Sequence, residues 1–477
     1  MERNENTGWG ALFAAGHRGS ALVLSGGVAL HATNNLLTTT ILPSVVQEIG
    51  GLALYAWSTT LFVVTALLGA ALSARLLRWA GPRPAYAVAA LFFSLGSLIC
   101  ALAPTMPLLL VGRTVQGLGG GFLFALSYAM VHLMFPPALW TRAMALISAM
   151  WGIATLVGPA IGGLFAAWHA WRWAFGLMLP LTVLFMLGAQ WVLPRGNAHR
   201  QPPEPLAWRQ LALLVFSVLV VAVTGLSSDV RLHLAGVALV AVLLLLLARI
   251  ESRSAARLLP VGALRLSSPL GGLYLAVALM MVGMGFDIYL PYLLQVLHGQ
   301  SPLMAGYLFA VMSVGWTVGE LCSAGLGARG ARRAMLAGPL LMTLGMVLLL
   351  VWLPSPSAGG VVVLMWLSAG LFAMGYGVGV GWPHLLAGML LHAQDGDKDR
   401  AGSSITLVQS FTAAMGAALA GMVANAAGIN APGGETGAGQ AAFWLCLAFI
   451  PIPLLALVGV RQATAVRVAE PVARDAA

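Results

Sequence analysis

Charge is what this 477-residue chain has least of. Asp and Glu together number 14 and Lys and Arg 24, so 8% of its side chains are charged, against roughly 25% in a soluble domain. Cysteine is nearly as scarce. Cys100, Cys322 and Cys446 form no CxxC pair and no Cys/His spacing suited to a metal, so no metal is expected and each is read as a small buried packing residue. No GxxxxGK[ST] loop occurs, nor any soluble segment that could hold one, which excludes ATP-driven work by this chain alone. Acids are especially rare inside the apolar stretches, and that makes two of them, Asp287 and Glu320, informative.

What fills the chain is apolar: 60% of its residues are hydrophobic and the mean hydropathy is +0.91. A span needs about 20 apolar residues to cross a hydrocarbon core of about 30 Å. Fourteen runs meet that need, near 20–45, 53–75, 84–103, 107–134, 143–167, 172–193, 209–226, 231–249, 270–296, 303–326, 333–353, 359–391, 402–428 and 441–461. An all-α, polytopic membrane protein follows, with the lipid bilayer as its solvent.

The net charge of +10 would suggest a nucleic-acid partner in a soluble chain; here it describes topology, and no nucleic acid is expected. With a cytoplasmic N-terminus, all of the 24 basic residues but Arg113, Arg172 and Arg231 fall on the inner side. That asymmetry predicts an even helix count and an N-in/C-in arrangement. The first 19 residues read as a cytoplasmic tail, and the first span as an uncleaved anchor.

Proline and charge punctuate the spans. A six-helix bundle is expected over 20–193, then a Pro-rich cytoplasmic linker over 194–208 containing Pro202, Pro203 and Pro205. Two additional helices follow over 209–249, a basic cytoplasmic linker over 250–269, a second six-helix bundle over 270–461 and a tail over 462–477. The two bundles look related. Aligning Gly69 with Gly319 pairs Ser73 with Ser323, Ala74 with Ala324, Leu76 with Leu326 and Arg83 with Arg333. Glycines concentrate in the fourth span (Gly117, Gly119, Gly120, Gly121) and the twelfth (Gly375, Gly377, Gly379, Gly381), where small residues allow close helix contact.

Polar residues inside spans mark pathways, because a charge at the bilayer centre costs on the order of 2.5–3.5 kcal/mol on insertion scales. Asp287 lies roughly 24 Å along its helix and Glu320 about 25 Å along another, on a rise of 1.5 Å per residue. Pro291 is expected to loosen the helix at Asp287 and free its carbonyl. Tyr289 and Tyr292 can bond a carboxylate or stack on a cation. Glu320, with Trp316 one turn before it, reads either as a proton site or as a gate acid pairing with inner-loop arginines. Arg113 either snorkels or acts on a nearby acid. His31, three residues before Asn34, titrates near neutrality in free form and can carry a proton. Trp151 and Tyr376 complete the candidate cavity aromatics.

Several runs resemble a known family. Arg113-Thr-Val-Gln-Gly-Leu-Gly-Gly-Gly121 is similar to the basic motif of major facilitator superfamily transporters. Gly152 through Gly158-Pro159-Ala-Ile-Gly162-Gly163 resembles the antiporter motif of that superfamily's drug:proton exporters. Trp171-Arg172-Trp173-Ala-Phe175 with Pro180, Leu42-Pro43, and Leu102-Ala103-Pro104 resemble its fourteen-helix branch. The sequence departs from that branch at Asn34, where an Asp is common, and at Arg78, where an acid is common before a Gly-Arg pair.

The resemblance implies a major-facilitator-type fold of two six-helix bundles plus two extra central helices. It implies a secondary active transporter, not an enzyme, in a bacterial cytoplasmic membrane, exporting amphipathic drugs or toxic organic compounds in exchange for protons. The proton gradient would be its energy source, with no cofactor, and a monomer its working state. Asp287, Glu320, Arg113 and His31 would then serve proton coupling, and Asn34, Tyr289, Tyr292, Trp316, Trp151 and Tyr376 the substrate. Gly152, Gly158, Pro159, Gly162, Gly163 and Gly117 would serve the conformational cycle. Export of a lipid or one dedicated metabolite on the same fold stays open, and a non-transporting sensor or scaffold is the remote alternative.

Overall fold

The computed structural model describes residues 12–14, 16–136, 139–195, 206–227, 229–254, 256–357, 359–394 and 397–465, and every regular element among them is helical. Arg3, Arg200, Arg467 and Arg474 lie outside the described residues, with most of the expected tails and of the 194–208 linker. Twelve described helices are long and apolar enough to cross a membrane. Two of the fourteen expected runs are helical but do not meet that measure. The first helix is 32 residues long, but Asn34, Asn35 and Thr38 to Thr40 dilute its hydropathy. The other, Trp208–Thr224, has 17 residues.

The chain divides into two compact units. The first comprises Met1–Pro205 with Gln300–Tyr307. It contains α1 (Arg18–Ile49), α2 (Tyr55–Ala80), α3 (Pro82–Leu102), α4 (Met106–Ala129), α5 (Trp140–Ala167) and α6 (Trp171–Val192). Here α1 packs along α5, α2 along α4, and α3 between α4 and α6.

The remaining residues form the second unit. It holds α7 (Trp208–Thr224), α8 (Val230–Arg253), α9 (Pro269–Met284), α10 (Leu290–His298) and most of α11 (Pro302–Ser323). It also holds α12 (Ala328–Trp352), α13 (Val361–His392), α14 (Lys398–Ala426), α15 (Gly434–Phe449) and α16 (Pro451–Ala465). In this unit α12 packs along α13 and α9 along α16. The additional pair, α7 and α8, joins this unit through α14: Asn425 Nδ2 donates to the Gly225 carbonyl at 3.0 Å.

The internal repeat has a physical counterpart. A Cβ added to Gly69 on α2 would fall 2.3 Å from the Leu118 carbonyl on α4, and one on Gly319 of α11 would fall 2.7 Å from the Tyr376 carbonyl on α13. The aligned glycines thus mark the same contact, second helix against fourth, in each bundle. Gly121 sits 2.0 Å by the same measure from the Ala66 carbonyl, and Gly379 2.0 Å from the Trp316 carbonyl. Only a residue without a Cβ lets these backbones meet.

Two of the recognised runs converge with Glu48 at one corner of the first unit. Trp171 Nε1 donates to Glu48 Oε2 at 2.7 Å, Arg172 forms an ion pair with Glu48, and Arg172 Nη2 donates to the Ala103 carbonyl at 3.2 Å. The Arg172 guanidinium also lies 4.3 Å from the Trp171 ring centre. This corner ties the ends of α1 and α3 to the start of α6. Hydrogen bonding from Arg172 holds the Glu48 carboxyl below its ordinary value.

Three outcomes follow from these contacts. Gly121→Ala should lower stability by about 1–3 kcal/mol through overpacking, read as thermal unfolding of the detergent-purified protein. Gly152, with open space where its Cβ would stand, should tolerate Ala without loss, since Ala is the better helix former. The Glu48 contribution is present above the ordinary carboxylate range and is lost as pH falls through its lowered pKa. Both partners are partly exposed, so it should amount to no more than about 1 kcal/mol, and Glu48→Gln should remove that pH dependence.

Candidate functional site

In the first unit, residues from five helices meet around one guanidinium. Arg113 and Gln116, three apart on α4, share a helix face. Arg113 is fully buried; its Nη1 donates to Gln116 Oε1 at 2.5 Å and its Nε to the Ser58 carbonyl on α2 at 3.3 Å. The Phe62 ring covers the guanidinium, with its centre 4.0 Å away. Gln116 Nε2 donates to Asn34 Oδ1 on α1 at 3.0 Å and to Ser97 Oγ on α3 at 2.7 Å.

Glycine makes this convergence possible. A Cβ on Gly117 would lie 2.3 Å from the Phe62 carbonyl, so α2 approaches α4 closely enough for Arg113 to reach Ser58. A Cβ on Gly96 would lie 2.2 Å from the Gln116 nitrogen, which brings Ser97 within reach of the Gln116 amide. Beside this network His31 is stacked on Phe62, 5.3 Å between ring centres, with Phe124 at 5.3 Å and Trp151 edge-on at 5.9 Å.

The fifth-helix motif flanks the same region. Cβ atoms on Gly158 and Gly162 would fall 2.8 Å from Leu36 Cβ and 2.9 Å from the Leu37 carbonyl, so α5 lies directly on α1 beyond Asn34. Pro159 is buried in α5, and Gly163 meets Leu303 at the start of α11 within the first unit.

In the second unit the helix carrying Asp287 is broken. Between α9 and α10, Gly285–Tyr289 forms a 3₁₀ turn with Asp287 at its centre. Pro291 has no N–H to give the Asp287 carbonyl, so the chain tightens and the Leu290 N–H donates there instead. The expected loosening therefore occurs, but the carbonyl is occupied rather than freed. Packing holds the turn in place: Gly285 meets Gly416 of α14 backbone to backbone, and Phe286 lies edge-on to Phe449, 5.7 Å between centres. Tyr289 and Tyr292 are buried on the same stretch. The Asp287 carboxylate forms no ion pair among the described residues.

Glu320 is bonded from within its own helix. Trp316 Nε1 donates to Glu320 Oε1 at 2.8 Å, and the Trp316 ring meets Trp382 of α13 edge-on at 5.0 Å. The acid is paired with an indole one turn away, and no arginine bonds it among the described residues. Tyr376 stacks on Phe372, 5.9 Å between centres, and presents its carbonyl to Gly319.

The structure thus brings His31, Asn34, Arg113 and Trp151 into one cluster, joins Trp316 to Glu320, and sets Asp287, Tyr289 and Tyr292 on one broken helix. Full burial of Arg113 replaces the snorkelling alternative. Cys100 and Cys446 are buried as expected, whereas Cys322 is exposed, because its position on α11 points out of the bundle. Gln116, Ser58, Ser97 and Phe62 were not singled out from sequence. Only the i+3 spacing of Gln116 from Arg113 pointed to one of them.

Residues 24–421 match the profile of the Major Facilitator Superfamily. A probable multidrug-efflux transporter of Mycobacterium tuberculosis is 38% identical over 474 residues, covering 97% of each chain. The chain belongs to the major facilitator superfamily. Multidrug resistance protein 3 of Bacillus subtilis is 22% identical over 414 residues, covering 83% of this chain and 77% of the relative. A solved POT family transporter in complex with 5-aminolevulinic acid superposes with a TM-score of 0.66 over 94% of this chain and 98% of its own, at 15% identity. That likeness shows the fold alone. As a superfamily member the chain is a multi-pass membrane transporter of small molecules rather than an enzyme.

The Gln116 amide is the bridge of the first-unit cluster, so Gln116→Leu leaves a buried guanidinium nitrogen and two buried polar groups without it. An order of about 3 kcal/mol should be lost from the stability of the purified transporter. An unchanged thermal midpoint would mean that the bridge contributes nothing.

Proposed function

We propose that this superfamily member is a proton-coupled exporter of amphipathic drugs or toxic organic compounds, working by alternating access in a bacterial cytoplasmic membrane. One observation carries the reading: a relative named a probable multidrug-efflux transporter matches it end to end at 38% identity. Fourteen transmembrane helices with both termini inside are part of the proposal. They comprise the twelve apolar helices together with α1 and α7, the latter about 25 Å long at 1.5 Å per residue. The distribution of basic residues supports that orientation.

In this reading Asp287 is the coupling site. A carboxylate in a buried 3₁₀ break loses its charge when it takes a proton, and the two states differ in how they tolerate apolar surroundings. Glu320, held by Trp316, acts in gating, with His31 and Arg113 as the titratable and charged members of the first-unit cluster. Asn34, Trp151, Tyr289, Tyr292, Trp316 and Tyr376 contact substrate. Gly117, Gly158, Pro159, Gly162 and Gly163 supply the helix contacts that slide during the cycle, and Gly152, with open space beside it, gives α5 room to shift. The proton gradient is the energy source, no cofactor takes part, and the monomer is the working unit.

Proteoliposomes with and without an imposed pH gradient test this. The wild-type protein should move cationic and zwitterionic dyes against their gradient only when the pH gradient is present. Asp287→Asn should abolish gradient-driven movement while leaving insertion and downhill exchange, because the amide mimics a permanently protonated acid. Glu320→Gln should slow transport by a small factor. Full driven activity in Asp287→Asn would remove that acid from the mechanism, and no movement of any dye across a broad panel would remove drug export.

A further inference from the structure

Among the described residues, the first unit holds a buried cation with no anion against it. Arg113 is 0% exposed, and its described partners are the Gln116 amide, the Ser58 carbonyl and the Phe62 ring, all neutral. The ion pairs among the described residues are Glu48 with Arg172 and Asp397 with Arg400, and neither includes it. At Asn34, bridged to Arg113 through Gln116, the side chain is a neutral amide, also 0% exposed.

Three polar atoms left over in this network can all donate, and beside them His31 Nδ1 is also unpartnered among the described residues. Arg113 Nη2 and Asn34 Nδ2 have no hydrogen-bond partner, and both can only donate. The fully buried Ser58 hydroxyl, which can donate too, is likewise unpartnered. Buried donors without acceptors are costly, and a buried charge without a counter-charge more so. A site made of a guanidinium, an amide N–H and a hydroxyl fits an oxyanion, above all a planar carboxylate that a guanidinium binds with two parallel bonds. Phe62 lies on the guanidinium, and His31 stacked on Phe62 links it to Phe124 and Trp151, a set of rings suited to an aromatic body.

We infer that Arg113 is a substrate-recognition residue that binds the carboxylate of an aromatic acid, with Asn34 as a second donor and the His31–Phe62–Phe124–Trp151 cluster against its rings. The inference rests on the export reading and narrows it: acidic and zwitterionic aromatic compounds are preferred over their esters. The substrate supplies the counter-charge that the chain itself withholds, so a neutral Asn34 is a specificity feature. An aspartate there would neutralise the guanidinium from within and compete with the ligand.

Rhodamine B and its ethyl ester differ only in whether the carboxylate is free, so they isolate this interaction. Binding of each to the full-length protein in nanodiscs is read by fluorescence anisotropy. The acid should bind wild type about tenfold to a hundredfold more tightly, the range of a charge-assisted hydrogen bond. Asn34→Asp keeps the Oδ1 that accepts from Gln116 and removes only the unpartnered Nδ2. This variant should fold and bring the ratio of acid to ester affinity close to one, with Arg113→Gln doing the same. Equal binding of acid and ester by wild type, binding of neither, or a preference that survives both variants would overturn the inference. Gradient-driven movement of the ester by proteoliposomes without any acid preference would leave drug export standing and this assignment fallen. An acid preference without driven movement of either dye would do the reverse.

Discussion

Hydrocarbon gives a helix no hydrophobic incentive to meet another helix and no water to satisfy a polar group. Every close contact in this transporter must therefore come from surface that fits at van der Waals range, and glycine provides it. The rows on α4 and α13 are where the backbones of α2 and α11 come closest, at Gly117 and Gly121 in one unit and Gly375 and Gly379 in the other. What these contacts position is chemical. Because α2 and α4 touch at Gly117, the Arg113 guanidinium finds the Ser58 carbonyl and the Phe62 face. Because α11 and α13 touch at Gly319 and Gly379, Trp316 sits against Trp382 and its indole N–H is left for Glu320. The same kind of contact locks the 3₁₀ turn of Asp287 against α14 through Gly285 and Gly416.

The two units use that scaffold for opposite charges. In the first, the embedded charge is a cation held by neutral acceptors and a ring. In the second, the embedded charges are acids, one bonded by an indole and one placed where a helix is interrupted. The aligned repeat shows how such a difference arises on one framework. Gly69 and Gly319 occupy equivalent contacts, and the next residue is Ala70 in one bundle and Glu320 in the other. Ser73 and Ser323, three residues further on, both bond back to that position, to the Ala70 and Glu320 carbonyls. The backbone is held the same way, and the side chain is free to differ.

Much of the fold was legible because a membrane makes few demands and makes them everywhere. Apolar runs of sufficient length marked the helices, and glycine rows marked their contacts. The charged corner was legible only in fragments. Trp171-Arg172 and Ala103-Pro104 were recognisable as runs, but Glu48, the partner of Trp171 and Arg172, was not, because it lies 123 residues before Trp171 in the chain. Gln116 was hidden for a related reason: an amide inside a span carries no charge to attract notice, and its role depends on two other helices. Cys322 was misplaced because an apolar span does not say which of its faces looks outward. The 3₁₀ turn at Asp287 was half visible. Pro291 announced a missing donor, but whether the orphaned carbonyl would stay open or be taken by Leu290 depended on packing against α14.

Those hidden features share a cause, and it separates structural polar groups from reactive ones. A polar group in a span whose partners lie on its own helix, like the threonines of α1 bonded to carbonyls four residues back, is settled locally. A group whose partners lie on other helices depends on those helices keeping their places. Arg113 bonds across α2 and within α4, and its bridge reaches α1 and α3. Displacement of α2 against α4 must therefore break or exchange a bond to a buried charge, among the most costly local events a membrane protein can undergo, and displacement of α1 or α3 a bond to the amide that holds it. By contrast, the bond from Trp316 to Glu320 lies within α11 and moves with it as a rigid piece. The guanidinium network is thus the polar element of the first unit most sensitive to helix rearrangement, and a ligand that bonds to it acts on four helices at once.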